Sequence, residues 1–211
     1  YIVTFDANGG VGGTNMVFEH GMPLVTPEVT RTNYDFRCWC QSANGGAVWR
    51  DGMSVTSDMT LYAQWTLQPN VWLYDVEDGR ARITRYSTPT GDIIVPAEID
   101  GYPVTAIAAS VFSYRTGLTS VTIPDGVTSI DDESFRNCSA LTNVWIGSGV
   151  MYIGTNAFRD CYALLNVEIG GGVTVVGNSA FRGCSRLSDI TIPAGVNTIE
   201  NYAFAECNSL E

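Results

Sequence analysis

Five apolar columns recur every 23 residues through the second half of this chain. Phe112, Phe135, Phe158, Phe181 and Phe204 are spaced by 23, as are Cys138, Cys161, Cys184 and Cys207. Leu118, Leu141, Leu164, Leu187 and Leu210 keep the same step. So do Val104, Val127, Val150, Val173 and Val196, and the series Ile107, Ile130, Ile153, Val176 and Ile199. A register held across four or five copies without an insertion is the signature of a solenoid, in which one unit cannot bury its apolar side alone but stacked units can.

The spacing within a unit predicts its local form. Val121-x-Ile123, Val144-x-Ile146, Val167-x-Ile169 and Ile190-x-Ile192 place two apolar residues on one face of a strand, because strand side chains alternate. Pro124 and Pro193, or Gly147 and Gly170, follow and help end it. The Val-x-x-Ile pair is expected to turn the chain over. In Asp132–Cys138, Phe and Cys lie three apart, which suits one short helical or 3-10 turn. The expected fold is an α/β solenoid of parallel strands and short helical turns, spanning residues 104–211. Phe112, Phe135, Phe158, Phe181, Phe204, Cys138, Cys161, Cys184 and Cys207 are its expected core.

The signature Leu118-Thr-Ser-Val-Thr-Ile-Pro-Asp-Gly-Val-Thr-Ser-Ile-Asp-Asp-Glu-Ser-Phe-Arg-Asn-Cys138, repeated downstream, closely resembles the BspA-like leucine-rich-repeat family. The resemblance covers about residues 71–211. It implies a curved solenoid with a parallel sheet on the concave side. It also implies a secreted or cell-surface context, bacterial or in some microbial eukaryotes, and a role in adhesion or ligand binding.

Residues 71–103 depart from the period. Trp72-Leu-Tyr74, Ala81-Arg-Ile83 and Ile93-Ile-Val95-Pro96 are separated by Asp78-Gly79 and Thr90-Gly91, and Asp-Gly between strand-like runs signals a hairpin. This stretch reads as the N-terminal cap, ending in an expanded first coil around Asp100-Gly101. Residues 67–70 read as a linker.

Residues 1–66 share none of the period. Tyr1–Asn8 alternates like a half-buried strand, and strand-like runs recur near Met16–Phe18, Tyr34–Trp39 and Leu61–Trp65. Val3-Thr-Phe-Asp-Ala-Asn-Gly-Gly10, Thr30-Arg-Thr-Asn-Tyr-Asp-Phe36, Trp39 and Leu61-Tyr-Ala-Gln-Trp65 resemble the Listeria–Bacteroides repeat, the family that includes the internalin B repeat. The family pattern has Gly at Cys38 and an aromatic at Cys40. The resemblance implies a small, mainly-β, β-grasp-like module serving as a spacer or interaction unit.

Charge narrows the partners. The net charge is −11, and all 11 basic residues are Arg. Residues 1–66 carry a net −3 and the remainder −8, so acidity is spread along the chain. Phosphate-binding surfaces need clustered Lys and Arg, so neither nucleic acid nor an anionic membrane is expected. No apolar run approaches the ~18 residues of a membrane-spanning helix. The chain opens at Tyr1 without a leader and stops part-way through a repeat, as expected of a piece cut from a longer protein, so the missing leader carries no weight on localisation.

No catalytic residue, metal site or cofactor is expected. One His, no nucleophile elbow and no phosphate loop are present. Four cysteines placed one per coil cannot surround an ion, and parallel side chains miss disulfide geometry; they read as small buried hydrophobes. Cys38 and Cys40, two apart on a strand, face one way without readily bonding, and with His20 they make at most a partial metal site. Asp131-Asp132-Glu133 reads as a solvated helix start. The remaining candidate surface is the outward side of the repeat strands: Ser120, Thr122, Asn143, Trp145, Asn166, Glu168, Asp189 and Thr191. Trp is enriched at binding hot spots, so Trp145 is the expected anchor for a protein or glycan ligand, host-derived among others. A purely structural stalk, and an accessory region of a larger secreted hydrolase, are the alternatives.

Overall fold

The computed structural model describes residues 1–88 and 90–210; Pro89, within the expected cap, and Glu211, at the end of the last repeat, lie outside the described residues. The chain divides into two compact units, Tyr1–Val71 and the remainder from Trp72.

In the first unit, the alternation of the opening residues becomes β1 (Ile2–Asp6), with Val3 and Phe5 turned inward. With β2 (Thr14–Val17), β3 (Tyr34–Ser42), β4 (Gly45–Trp49) and β5 (Met59–Leu67) it forms a sheet of order β2-β1-β5-β3-β4. β1 and β5 are parallel, and the other neighbours antiparallel. Irregular chain covers the core: Phe18 and Leu24 from the β2–β3 connection and Val55 from the β4–β5 connection pack with Phe5, Trp39, Leu61 and Ala63. Asn8 in a left-handed turn (φ 47°) locks the strand ends together. Its Nδ2 donates to the carbonyls of Ala43 (2.9 Å) and Ala63 (3.0 Å), and Trp65 Nε1 donates to Ala7 O at 2.9 Å.

The second unit begins with the hairpin β6 (Trp72–Glu77) and β7 (Arg80–Tyr86). Its turn residues Asp78 (φ 49°) and Gly79 (φ 71°) both take the positive φ that a two-residue hairpin loop of this kind requires. Thr90-Gly91 closes no hairpin: Gly91 opens β8 (Gly91–Ile94), which pairs in parallel with the next coil. Then follow β9 (Glu98–Ile99), β10 (Tyr102–Ile107), β11 (Leu118–Ile123), β12 (Ser129–Ile130), β13 (Asn143–Ile146), β14 (Tyr152–Ile153), β15 (Asn166–Ile169), β16 (Val175–Val176) and β17 (Thr198–Ile199). One parallel sheet runs β8-β11-β13-β15; a second runs β7-β10-β12-β14-β16-β17, with β6 antiparallel at its edge. From β11 to β15 and from β12 to β17, each pairing joins residues 23 apart, as in Val121↔Val144 and Ile130↔Ile153.

Two expectations are corrected here. The three coils from Leu118 to Val176 carry two strands each: beyond turning the chain, the Val-x-x-Ile segment supplies the second strand, with Ile130, Ile153 and Val176 buried. Second, no helix or 3-10 turn occurs among the described residues, so the unit is a β-solenoid of leucine-rich-repeat type and not α/β. The Phe–Cys segment is a chain of turns whose backbone bonds the adjacent coil. Glu133, Phe135 and Asn137 donate to the carbonyls of Thr155, Ala157 and Arg159 at 2.8–2.9 Å, and Asn156, Phe158 and Asp160 repeat this one coil later. A helix would spend those N–H groups four residues back along its own chain. Residues in the left-handed region at Glu133, Asn137, Asn156 and Asp160 (φ 56–60°) break that path.

The Phe column fills the space behind these turns. Successive rings stack almost parallel (within 7°) with centroids 4.8, 5.0, 5.2 and 5.4 Å apart. The separations widen step by step along the column, from about the ~4.8 Å strand spacing at Phe112 toward Phe204. Phe112, Phe135, Phe158 and Phe181 are buried, and Phe204 is half-buried. At the other end of the column Trp72 stacks on Tyr86 (4.1 Å), and both lie against Phe112. Coils also meet closely at the turn after the first strand. A Cβ on Gly149 would stand 1.9 Å from Asp125 O, and one on Gly172 2.0 Å from Ser148 O, so only glycine fits.

Candidate functional site

Alternation along β8, β11, β13 and β15 builds one outward face from two columns. The first aligns Asp92, Ser120, Asn143 and Asn166; the second aligns Ile94, Thr122, Trp145 and Glu168. Asp189 and Thr191 continue the columns in sequence, although their segment forms no strand, and both are exposed.

The first column is a polar ladder that satisfies itself. Asp92 Oδ1 accepts from Ser120 Oγ (2.6 Å) and Thr119 Oγ1 (2.7 Å). These two hydroxyls hold its carboxyl below the usual range. Asn166 Nδ2 donates to Asn143 Oδ1 (2.8 Å), and Asn143 Nδ2 donates to Thr142 Oγ1 (2.9 Å). The second column is different in kind. Ile94 is 75% exposed and Trp145 38% exposed.

Around Trp145 the surface dips into an open depression of about 360 Å³. Asn143, Trp145, Asn166, Glu168, Asp189 and Thr191 line it, with Val167 and Ile190; Ser120 and Thr122, one rung away, do not. An indole beside amide and carboxylate oxygens offers an apolar platform with polar groups at its rim. Asp92, Thr119 and Ile94 belong to the same face yet fall outside the sequence-based set. Their signal was Ile93-x-Val95-Pro96, which repeats Val121-x-Ile123-Pro124 at a spacing of 28 instead of 23.

The solenoid cysteines are thiols in the interior, and each donates its S–H to a carbonyl of the preceding coil. Cys138, Cys161, Cys184 and Cys207 reach the oxygens of Phe112, Phe135, Phe158 and Phe181 at 3.0–3.3 Å. Burial pushes the Cys161 and Cys184 thiols far up, away from the reactive thiolate. The run Asp131-Asp132-Glu133 does not start a helix. Asp131 pairs with Arg82 (2.5 Å), Asp132 Oδ1 accepts from Thr155 N (2.7 Å), and Glu133 pairs with Arg136 (3.0 Å). His20 lies beside the Tyr1 hydroxyl, Nδ1 at 3.3 Å. Among the described residues no three His, Cys, Asp or Glu side chains gather to hold a metal ion, and no helix is long and apolar enough to cross a membrane.

Comparison with known proteins follows the division into units. Residues 1–64 match the Listeria-Bacteroides repeat domain, and residues 105–211 match the BspA type leucine rich repeat region in six copies. Among solved structures, a Treponema (T. pallidum) leucine rich repeat protein is 28% identical, with a TM-score of 0.64, over 66% of this chain and 66% of its own. A leucine rich cell surface protein of Faecalibacterium prausnitzii is 28% identical over 66% of this chain and 51% of its own, with a TM-score of 0.35. A leucine-rich repeat protein of Bacteroides capillosus is 28% identical over 69% and 94%, with a TM-score of 0.45. The match thus spans just under two thirds of the Treponema protein and about half of the Faecalibacterium one. No curated protein matches the chain. With half of its length following the repeat model and its coils stacked as that repeat requires, the chain belongs to the BspA type leucine rich repeat family, here preceded by a Listeria-Bacteroides repeat module.

Proposed function

We propose that this chain is a non-catalytic binding region of a secreted or cell-surface bacterial protein, in which the β8-β11-β13-β15 face recognises a protein or glycan. One observation carries the reading: Trp145 stands 38% exposed over an open depression rimmed by Asn143, Asn166, Glu168 and Asp189. A large aromatic left in water costs hydrophobic free energy, about 25 cal/mol per Å² of apolar area, which a ligand covering it recovers. The Asn166–Asn143–Thr142 hydrogen bonds hold two of the rim amides in place, which lowers the ordering cost of binding there. Family membership supports the surface context. The first module then acts as a spacer or second interaction unit.

A protein and glycan array probed with this chain tests the reading. The expected result is a ligand whose affinity falls by at least ~2 kcal/mol in Trp145→Ala. Silence on both arrays favours a stalk that presents another domain. A ligand indifferent to Trp145→Ala moves the recognition surface elsewhere.

A further inference from the structure

Two apart on their strand, Cys38 and Cys40 are expected to face one way without readily bonding, and the structure sets their sulfurs side by side. Strand β3 is bonded on both sides across this stretch. Cys38 lies opposite Gln64, Trp39 opposite Ala63 and Trp49, and Cys40 opposite Tyr62 and Val48. Trp39 between them is buried in the core, so both cysteines share the other face. A register shift between Phe36 and Cys38 marks a bulge immediately before the pair, and a bulge bends its strand. The two Sγ atoms are 3.7 Å apart.

That separation suits a bridging ion better than a bond. A disulfide needs S–S of about 2.0 Å and Cβ atoms about 3.5–4.5 Å apart. Drawing strand residues i and i+2 that close pulls on the ladder held by Gln64, Ala63 and Tyr62 on one side and Trp49 and Val48 on the other. An ion seated between the sulfurs needs no such movement: two thiolate–metal bonds of about 2.3 Å spanning 3.7 Å meet at about 107°, close to the tetrahedral angle. One of the two thiols is also partly open to solvent. Cys38 is half-buried and borders an open depression of about 300 Å³ together with Phe36, Arg37, Trp39, Trp49, Arg50 and Asp51, whereas Cys40 is buried and does not line it. The solenoid cysteines have neither feature, being enclosed and bonded one by one to carbonyls.

We propose that Cys38 and Cys40 form a bidentate dithiolate site for one soft, thiophilic cation of the Zn²⁺/Cd²⁺ class. The other two tetrahedral positions are left to ligands from outside this chain, since no third protein ligand joins the pair among the described residues. On binding, two S–H bonds break, two S–metal bonds form, and two protons pass to solvent.

The test is a titration of the fully reduced 211-residue chain with Cd²⁺ under anaerobic conditions, followed by the ultraviolet sulfur-to-cadmium charge-transfer absorption. The band is expected to saturate at one equivalent, to vanish in Cys38→Ser and Cys40→Ser, and to persist unchanged in His20→Ala. Should Cys40→Ser fail to fold, the half-exposed Cys38→Ser decides alone, with circular dichroism confirming its fold. No band in the wild-type chain, or a band that survives Cys38→Ser, overturns the proposal.

Discussion

The two units of this chain solve the same problem by opposite means. In the first, contacts are unrepeated and long-range. Asn8 reaches Ala63, Trp65 reaches Ala7, and Ile2 N donates to Asp58, at sequence separations of 55, 58 and 56. In the second, side-chain bonds recur at 23 or 26 residues, as in Ser148 to Asp125 and each core cysteine to its carbonyl. A closed unit depends on all its contacts at once. A solenoid is close to a sum of coils and nearest-neighbour interfaces. The difference teaches that damage should spread through the whole of the first unit but stay local in the second.

The sharpest way to break that comparison is a pair of core truncations. Trp39→Ala and Phe158→Ala each remove a fully buried aromatic, with an expected loss of roughly 3–5 kcal/mol. Hydrogen exchange should separate them. Trp39→Ala is expected to lift protection across all five strands of the first unit, and Phe158→Ala mainly in the coils holding Phe135 and Phe181. A Phe158→Ala loss below ~1 kcal/mol would remove the Phe column from the core. Smaller is Gly149→Ala, where the added carbon meets Asp125 O; about 1–3 kcal/mol is expected from overpacking, read by denaturant unfolding. Phe204→Ala, at a half-buried ring, should cost less than Phe158→Ala by the same measurement. Equal losses would contradict the graded stack.

Acid sharpens the comparison further. Ser148, through its backbone N–H first and its hydroxyl second, holds the Asp125 carboxyl below its usual range. A depressed folded pKa contributes stability above the unfolded value, near ~3.9, and that contribution is lost as pH falls through the lower folded value. Asp125→Asn should therefore be less stable than wild type at neutral pH. The gap should close in strong acid, with exchange in the first unit unchanged throughout. The smallest expected effect is Trp145→Ala on stability, within about 0.5 kcal/mol, because this ring packs outward; a larger loss would make it a structural residue and weaken the binding reading.

Much of the second unit was legible before any coordinates. Identical residues at a fixed step must lie at equivalent places in successive coils, so the columns of Phe112, Cys138 and Leu118, and the pairing of Ser120 with Asn143, follow from the period. The first unit was legible only through its motif, because its contacts have no period to betray them. What the period leaves open is the path of the backbone within one coil. Phe and Cys three apart fit a helical turn or a bent turn equally well. The structure chose the latter because the N–H groups of Phe135 and Asn137 find carbonyls on the next coil, a partner that exists only after stacking. The second strand at Ile130, the rung at Asp92 in an expanded first coil and the depression beside Trp145 have the same origin. The sequence by itself determined which residues repeat and turn inward. Tertiary structure decided where each backbone donor went, since hydrogen bonding between coils depends on neighbours far away along the chain.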